Sequence, residues 1–92
     1  MYYVYVLKST AHNWSYIGCT DDLRTRFSRH KRGEVKSTQF YRPLKLVYYE
    51  AYASKTDARS REHKLKNHSQ TKELLFAQIE KSLKFNYHGA IV

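Results

Sequence analysis

The side chains able to do chemistry are scattered along a chain of 92 residues. Nine are tyrosines; Tyr2, Tyr3 and Tyr5 open the chain and Tyr16 follows. A phenol has a pKa near 10, so it serves as a proton acceptor only beside a metal or cations. Tyrosine is also a good strand residue with one wet end, and that ordinary use stays open for each of them. Arg24, Arg26, Arg29, His30, Lys31 and Arg32 then fall within nine residues. Arg26 and His30 stand at i, i+4 and share a helical face. An Arg there can neutralise charge growing on a phosphoryl group, its fork matching two oxygens. Arg24, Arg29, Lys31 and Arg32 read as a solvated basic face able to touch a nucleic-acid backbone. Glu62 is the most informative residue. It shares a helical stripe with Ala58 and Leu65, where apolar residues belong, and its neighbours Arg59, Arg61, His63, Lys64 and Lys66 are all basic. Two uses are open: an ion pair with Arg59 or Lys66, or a metal ligand. Mg²⁺ is typically held by one or two carboxylates, with water and substrate phosphate completing its shell.

Composition narrows the partners. Lys and Arg number 17 against 8 Asp and Glu, a net charge of +9 that attracts polyanions, nucleic acid foremost. An anionic membrane surface is the competitor. No basic amphipathic helix with a broad apolar face, lipidation signal or apolar run of about 20 residues supports it. The opening residues do not read as a secretory leader, so a cytoplasmic protein is expected. One cysteine, Cys19, excludes an internal disulfide framework and a Cys-rich zinc site. His12, His63, His68 and His88 show no zinc spacing with it. Cys19 itself reads as a small buried thiol, and Trp14 as a packing residue of a hairpin.

The elements that must position these residues follow from pattern. Residues 2–8 are aromatic and β-branched and predict a strand; residues 14–18 predict a second, joined by a five-residue loop. Strand alternation places Tyr3 and Tyr5 on one face. Thr20 is the expected cap of a first helix, with Asp21 and Asp22 in its first turn, Leu23 and Phe27 on its inner stripe and Gly33 ending it. Residues 34–42 show little pattern. Leu44 to Ala53 predict a third strand. Ser54 and Asp57 form a capping box for a second helix running to about Asn67. A third helix opening at Ser69 or Thr71 carries Leu74, Leu75, Ile79 and Leu83 at helical spacing. The order ββαβαα describes one α+β domain over residues 1–83, with a small, mainly antiparallel three-stranded sheet and a tail at 84–92 that could add an edge strand.

Tyr3-Val4-Tyr5, then Tyr16-Ile17-Gly18 eleven residues after Tyr5, then Asp22-Leu23-x-x-Arg26 and a downstream helical Glu62, resemble the GIY-YIG endonuclease superfamily. The likeness runs from about Tyr2 to Lys66. It is strongest to the small single-domain bacterial branch similar to the UvrC N-terminal nuclease domain; Arg42-Pro43-Leu44-Lys45-Leu46-Val47-Tyr48 is typical of that branch. The resemblance implies divalent-metal-dependent hydrolysis of a DNA phosphodiester. Glu62 would hold one Mg²⁺ or Mn²⁺, which would bind the scissile phosphate and the leaving 3′ oxygen. Tyr16, or Tyr5, would accept a proton from the attacking water. Arg26 would stabilise the charged transition state and His30 would position or relay a proton. Gly18 would keep the strand end thin so that a helix can pack close. Three departures stand out: Tyr3 replaces the first Gly, Cys19 replaces a Lys common after the second signature, and Asn67 matches only loosely an Asn or aromatic near the end of the second helix.

The expected activity is a metal-dependent endonuclease that nicks one strand, or cuts selectively at structured, damaged or single-stranded DNA. Arg24, Arg29, Lys31, Arg32, Arg59, Lys66 and Asn67 are the expected nucleic-acid contacts. Two alternatives are a non-catalytic nucleic-acid-binding module that keeps the fold, and a subunit that relies on a protein partner or a second copy of itself.

Overall fold

Alternating apolar and aromatic residues at the start of the chain form β1 (Tyr2–Ser9), which in this computed structural model, describing residues 1–85, is the central strand. β2 (Ser15–Thr20) and β3 (Leu44–Tyr52) pair with it on either side, both antiparallel, in the order β2-β1-β3. The expected five-residue hairpin loop is present, one residue later than the pattern suggests. β2 extends to Thr20 because Cys19 and Thr20 still find partners in Val4 and Tyr3.

That extension moves the start of the first helix. α1 spans Leu23–Lys31, and its cap is Asp22, whose Oδ1 accepts the Thr25 N–H at 3.1 Å. Thr20 therefore is not the cap, and neither Asp21 nor Asp22 lies in the first turn. Thr20 Oγ1 instead accepts the Asp22 N–H and shapes the turn that leads in. Gly33, at φ +78°, ends the segment as expected. The patternless stretch that follows holds one 3₁₀ turn, Gln39–Tyr41, and buries Val35 and Thr38. Tyr41 stacks on Trp14 at 3.7 Å, which ties this loop to the hairpin.

α2 (Lys55–Asn67) starts at the expected cap, Ser54, whose side chain accepts the Asp57 N–H. The expected single third helix is two: α3 (Ser69–Gln78) and α4 (Glu80–Lys84), broken at Ile79. The break lets α3 pack on α2 while α4 turns onto β3. Lys84 closes α4 rather than opening a tail, and residues 86–92 lie outside the described residues. No helix among the described residues is long and apolar enough to cross a membrane.

The sheet lies between two helical layers. Val4, Val6 and Ile17 pack with Ala58, Leu65 and Leu75 on one face. Tyr5 and Leu7 pack with Phe27 and Leu44 on the other. A bulge places one extra residue, Val47, between Leu46 and Tyr48, opposite Val6 and Leu7. Beyond it, Tyr48, Glu50 and Tyr52 face α2. There the Glu50 carboxylate accepts hydrogen bonds from both tyrosine hydroxyls and from Arg61, Nε at 2.6 Å and Nη2 at 3.3 Å. Burial opposes ionisation of Glu50, but Arg61 and the two hydroxyls outweigh it and hold the pKa below its ordinary value. This half-buried pair locks α2 onto β3, and so fixes the helix that carries Glu62.

Removing one partner of such a pair leaves the other charge partly buried and poorly compensated. Arg61→Gln is expected to lower unfolding stability by about 1–3 kcal/mol. Arg61→Lys should recover only part of that, because it lacks the bidentate fork. Urea denaturation followed by circular dichroism measures both.

Candidate active site

β1 and β2 pair so that Tyr5 lies opposite Gly18, and Leu7 opposite Tyr16. Tyr5 and Tyr16 therefore share the face toward α1, with ring centroids 6.3 Å apart. Gly18 makes this possible. A Cβ at that position would meet Tyr5 Cζ and Oη at 2.5 Å and Tyr16 Cε2 at 2.9 Å. The close approach that requires glycine is thus to a neighbouring strand's phenol ring and not, as the resemblance implies, to a packing helix.

The Tyr5 ring is fully buried, and its hydroxyl lies 2.8 Å from His30 Nε2. His30 is fully buried too, and its Nδ1 lies 2.8 Å from Thr38 Oγ1. Thr38 Oγ1 also reaches the Val35 carbonyl, at 3.4 Å, an oxygen that can only accept. The single Thr38 proton goes there, so Oγ1 accepts from His30 Nδ1–H. His30 Nε2 is then free to accept the Tyr5 proton. Burial lowers the His30 pKa to about 4, with Arg26 and Arg29 adding to the effect, so the ring is neutral at pH 7. Burial also pushes the Tyr5 phenol up to about 12 despite the opposing pull of Arg26. The Tyr5 hydroxyl therefore keeps its proton near neutrality and donates it to His30 Nε2.

Arg26, one turn before His30 on α1, turns its guanidinium to the hydroxyls of Tyr5 and Tyr16, and the hydrogen bond to Tyr5 raises its own pKa. Tyr16 is only half-buried on the edge strand, so of the two phenols it is the one open to solvent. Glu62 comes from α2, on the opposite side of the sheet. Its Oε2 lies 3.0 Å from Lys66 Nζ, and that same ammonium sits 5.7 Å from the centre of the Tyr16 ring. Lys66 thus joins the carboxylate to the phenol around the exposed edge of β2. The ion pair that the sequence left open for Glu62 is made with Lys66, not with Arg59. The charge of Glu62 is also felt at Tyr5 and at Cys19. Cys19 is half-buried, and burial raises its thiol pKa.

The structure thus gathers Tyr5, Tyr16, Arg26 and His30 on the α1 face of the sheet, with Glu62 linked to Tyr16 through Lys66 around the β2 edge. The other expected contacts are dispersed. Arg29 and Arg32 pair with Glu34, at 3.8 and 2.6 Å. Lys31 lies over the Phe27 ring, and Arg24 lines a groove beside Tyr3 and Tyr49. Arg59 turns to the Cys19 thiol. Asn67 donates to the His63 carbonyl at 2.9 Å and does not join the cluster. Thr38, which orients His30, went unnoticed in the sequence because it sits in a loop without periodicity. Among the described residues no three His, Cys, Asp or Glu side chains converge on one point. The chemistry of one hard carboxylate oxygen still fits one Mg²⁺ or Mn²⁺, whose other ligands are typically water and phosphate oxygens.

A three-stranded antiparallel sheet between helices, with paired tyrosines, an arginine and a helical glutamate near one edge, defines a small α+β domain. The GIY-YIG catalytic domain matches residues 1–74, and the chain belongs to that family. UPF0213 proteins of Staphylococcus aureus strains Mu3 and MW2 are each 35% identical to it over 74 residues, covering 79% of this chain and 89% of theirs. The solution NMR structure of a UPF0213 protein from Bacillus halodurans is 30% identical, with a TM-score of 0.53, over 87% of this chain and 86% of that one.

Gly18→Ala should displace the Tyr5 ring and cost about 1–3 kcal/mol, with loss of the Tyr5–His30 contact visible in NMR spectra of the imidazole. A second expectation follows from His30. Its folded pKa, about 4, lies below the ordinary value of 6.5. Between those values the unfolded chain binds a proton that the folded chain does not, so stability is full above pH 6.5 and falls as pH drops toward 4. At pH 5 the loss is about 2 kcal/mol. Denaturation at pH 7 and pH 5 should show it in the wild type, and His30→Gln should remove it.

Proposed function

We propose that the chain is a divalent-metal-dependent endonuclease that hydrolyses DNA phosphodiester bonds in the cytoplasm. One centre per chain suits the nicking of a single strand, or cutting at structured, damaged or single-stranded sites. The observation that carries this reading is the meeting of Tyr16, Arg26 and Glu62 at the open edge of β2, contributed by three different elements.

Glu62 is the residue that would hold Mg²⁺ or Mn²⁺. When bound, the ion supplies Lewis-acid stabilisation of the scissile phosphate and of the leaving 3′ oxygen. Tyr16 takes the proton of the attacking water, with Arg26 and Lys66 providing the positive surroundings such a role needs. Tyr5 keeps its own proton on His30, and its buried hydroxyl fixes the direction of the Arg26 guanidinium. Arg26 then faces the phosphoryl oxygens and offsets the charge that grows on them. His30 acts in this scheme as a positioning residue, because both its nitrogens are occupied and the ring is closed to water. Phosphate contacts dominate the affinity, in keeping with the net charge of +9.

A second reading is a nucleic-acid-binding module without turnover. The Lys66–Glu62 ion pair favours it, since the carboxylate needed for metal already has a cation. The two readings separate in one series with supercoiled plasmid, fork, flap and single-stranded substrates in Mg²⁺ or Mn²⁺. Nicking by the wild type, with losses of about 100-fold or more in Glu62→Gln and Tyr16→Phe and a smaller loss in Tyr5→Phe, supports the enzyme. Lys66→Met should tighten Mn²⁺ binding, read by electron paramagnetic resonance, because it frees Glu62. Metal-dependent cutting that survives Glu62→Gln removes the metal role. Salt-sensitive binding without any cleavage leaves the binding module.

A further inference from the structure

Beside the tyrosine cluster, where β2 gives way to α1, lies an open cleft of about 400 Å³. Its lining includes Cys19 and Thr20 from the end of β2, Asp21, Arg26 from α1, and Lys55 and Arg59 from α2. Three cations meet one carboxylate there. Lys55 and Arg59 stand at i, i+4 and so project on one face of α2, next to each other. Some basic side chains of the helices find acids: Arg29 and Arg32 share Glu34, Arg61 holds Glu50, Lys66 holds Glu62 and Lys84 holds Glu80. Lys55 and Arg59 make no ion pair among the described residues. Two like charges side by side on a concave surface repel each other, an arrangement that an anion relieves.

The cleft is continuous with the candidate active site through Arg26, which faces both phenols and also lines the cleft. Along α2, Arg59 precedes Glu62 by three residues, a step of about one helical turn. An anion between Lys55 and Arg59 would therefore be a near neighbour of one held at Glu62 and Arg26. Successive phosphates of a single strand have that relation.

We propose that this cleft is a second phosphate subsite, in which Lys55 and Arg59 hold the phosphate next to the scissile one on the same strand while Arg26 stands between the two. The proposal rests on the nuclease reading for what the strand is doing there, but its test does not need cleavage. The probes are the thymidine oligonucleotides dT2 and dT3, which carry one and two phosphodiesters and no terminal phosphate. Each is titrated by NMR into the full chain in EDTA. The second phosphate of dT3 is expected to tighten binding about tenfold in the wild type. Lys55→Gln/Arg59→Gln should abolish that gain, so that dT3 binds the variant no better than dT2 does, whereas Lys55→Arg/Arg59→Lys should keep it. A dT3 with a neutral methylphosphonate at its second linkage should bind the wild type no better than dT2.

Both positions are exposed on α2, and amide spectra confirm that each variant is folded before it is titrated. A gain that persists in the glutamine variant, or in the methylphosphonate probe, overturns the subsite. So does inorganic phosphate that binds the cleft as tightly as dT3, because a free anion would then be the ligand. If the oligonucleotides behave as expected and plasmid is never nicked, the subsite stands and the enzyme reading falls. If plasmid is nicked and the second phosphate adds nothing, the reverse holds.

Discussion

The hydrogen bond between the Tyr5 hydroxyl and His30 Nε2 is the contact on which the rest of the site depends. It joins the central strand to the inner face of α1 with both partners out of water. A buried hydroxyl and a buried imidazole are costly unless each is satisfied, and each is, through Thr38 and the Val35 carbonyl. Among the described residues no buried side-chain nitrogen or oxygen lacks a partner. The chain of bonds has one direction, which fixes the tautomer of the ring and the proton on the phenol. Arg26 then has a fixed oxygen to lean on. A flexible arginine on a short helix gains its aim from a buried network rather than from its own rotamers.

The edge position of β2 explains how residues from opposite layers can cooperate. A side chain on α2 and one on the α1 face are normally separated by the thickness of the sheet. Among the described residues no strand lies beyond β2, and Lys66 reaches around to the Tyr16 ring while holding Glu62. An unpaired strand edge usually invites another strand. Here it is flanked by cations and aromatic rings, which suit phosphate and base better than backbone.

Most of the fold was legible because the signals were local. Val and Tyr alternate in β1, Ser54 and Asp57 announce α2, and Gly33 stops α1. The failures were also local: Thr20 looked like a cap because its pairing with Tyr3 is a fact about another strand. The break at Ile79 is likewise invisible to helical spacing, since it comes from α4 reaching β3. For the site, residue types and order pointed to Tyr5, Tyr16, Arg26, His30 and Glu62. What could not be read was which phenol is buried, because Tyr5 and Tyr16 differ only in lying on a central and an edge strand. Thr38 and the Glu50–Arg61 lock were hidden for a related reason. Their partners are 8 and 11 residues away along the chain, in elements whose packing no periodicity encodes.

The bulge at Val47 sets the phase of everything after it. Before it, Leu44 and Leu46 look toward α1; after it, Tyr48, Glu50 and Tyr52 look toward α2. Strand side chains alternate strictly, so pairing the same sequence without the bulge would turn the second half of β3 over. Glu50 would then be carried from its guanidinium to the face that holds two phenols and a neutral imidazole. A negative charge there would compete for Arg26 from within the protein. One irregularity in strand pairing thus keeps the molecule's structural anion and its two phenols on opposite sides of a single sheet.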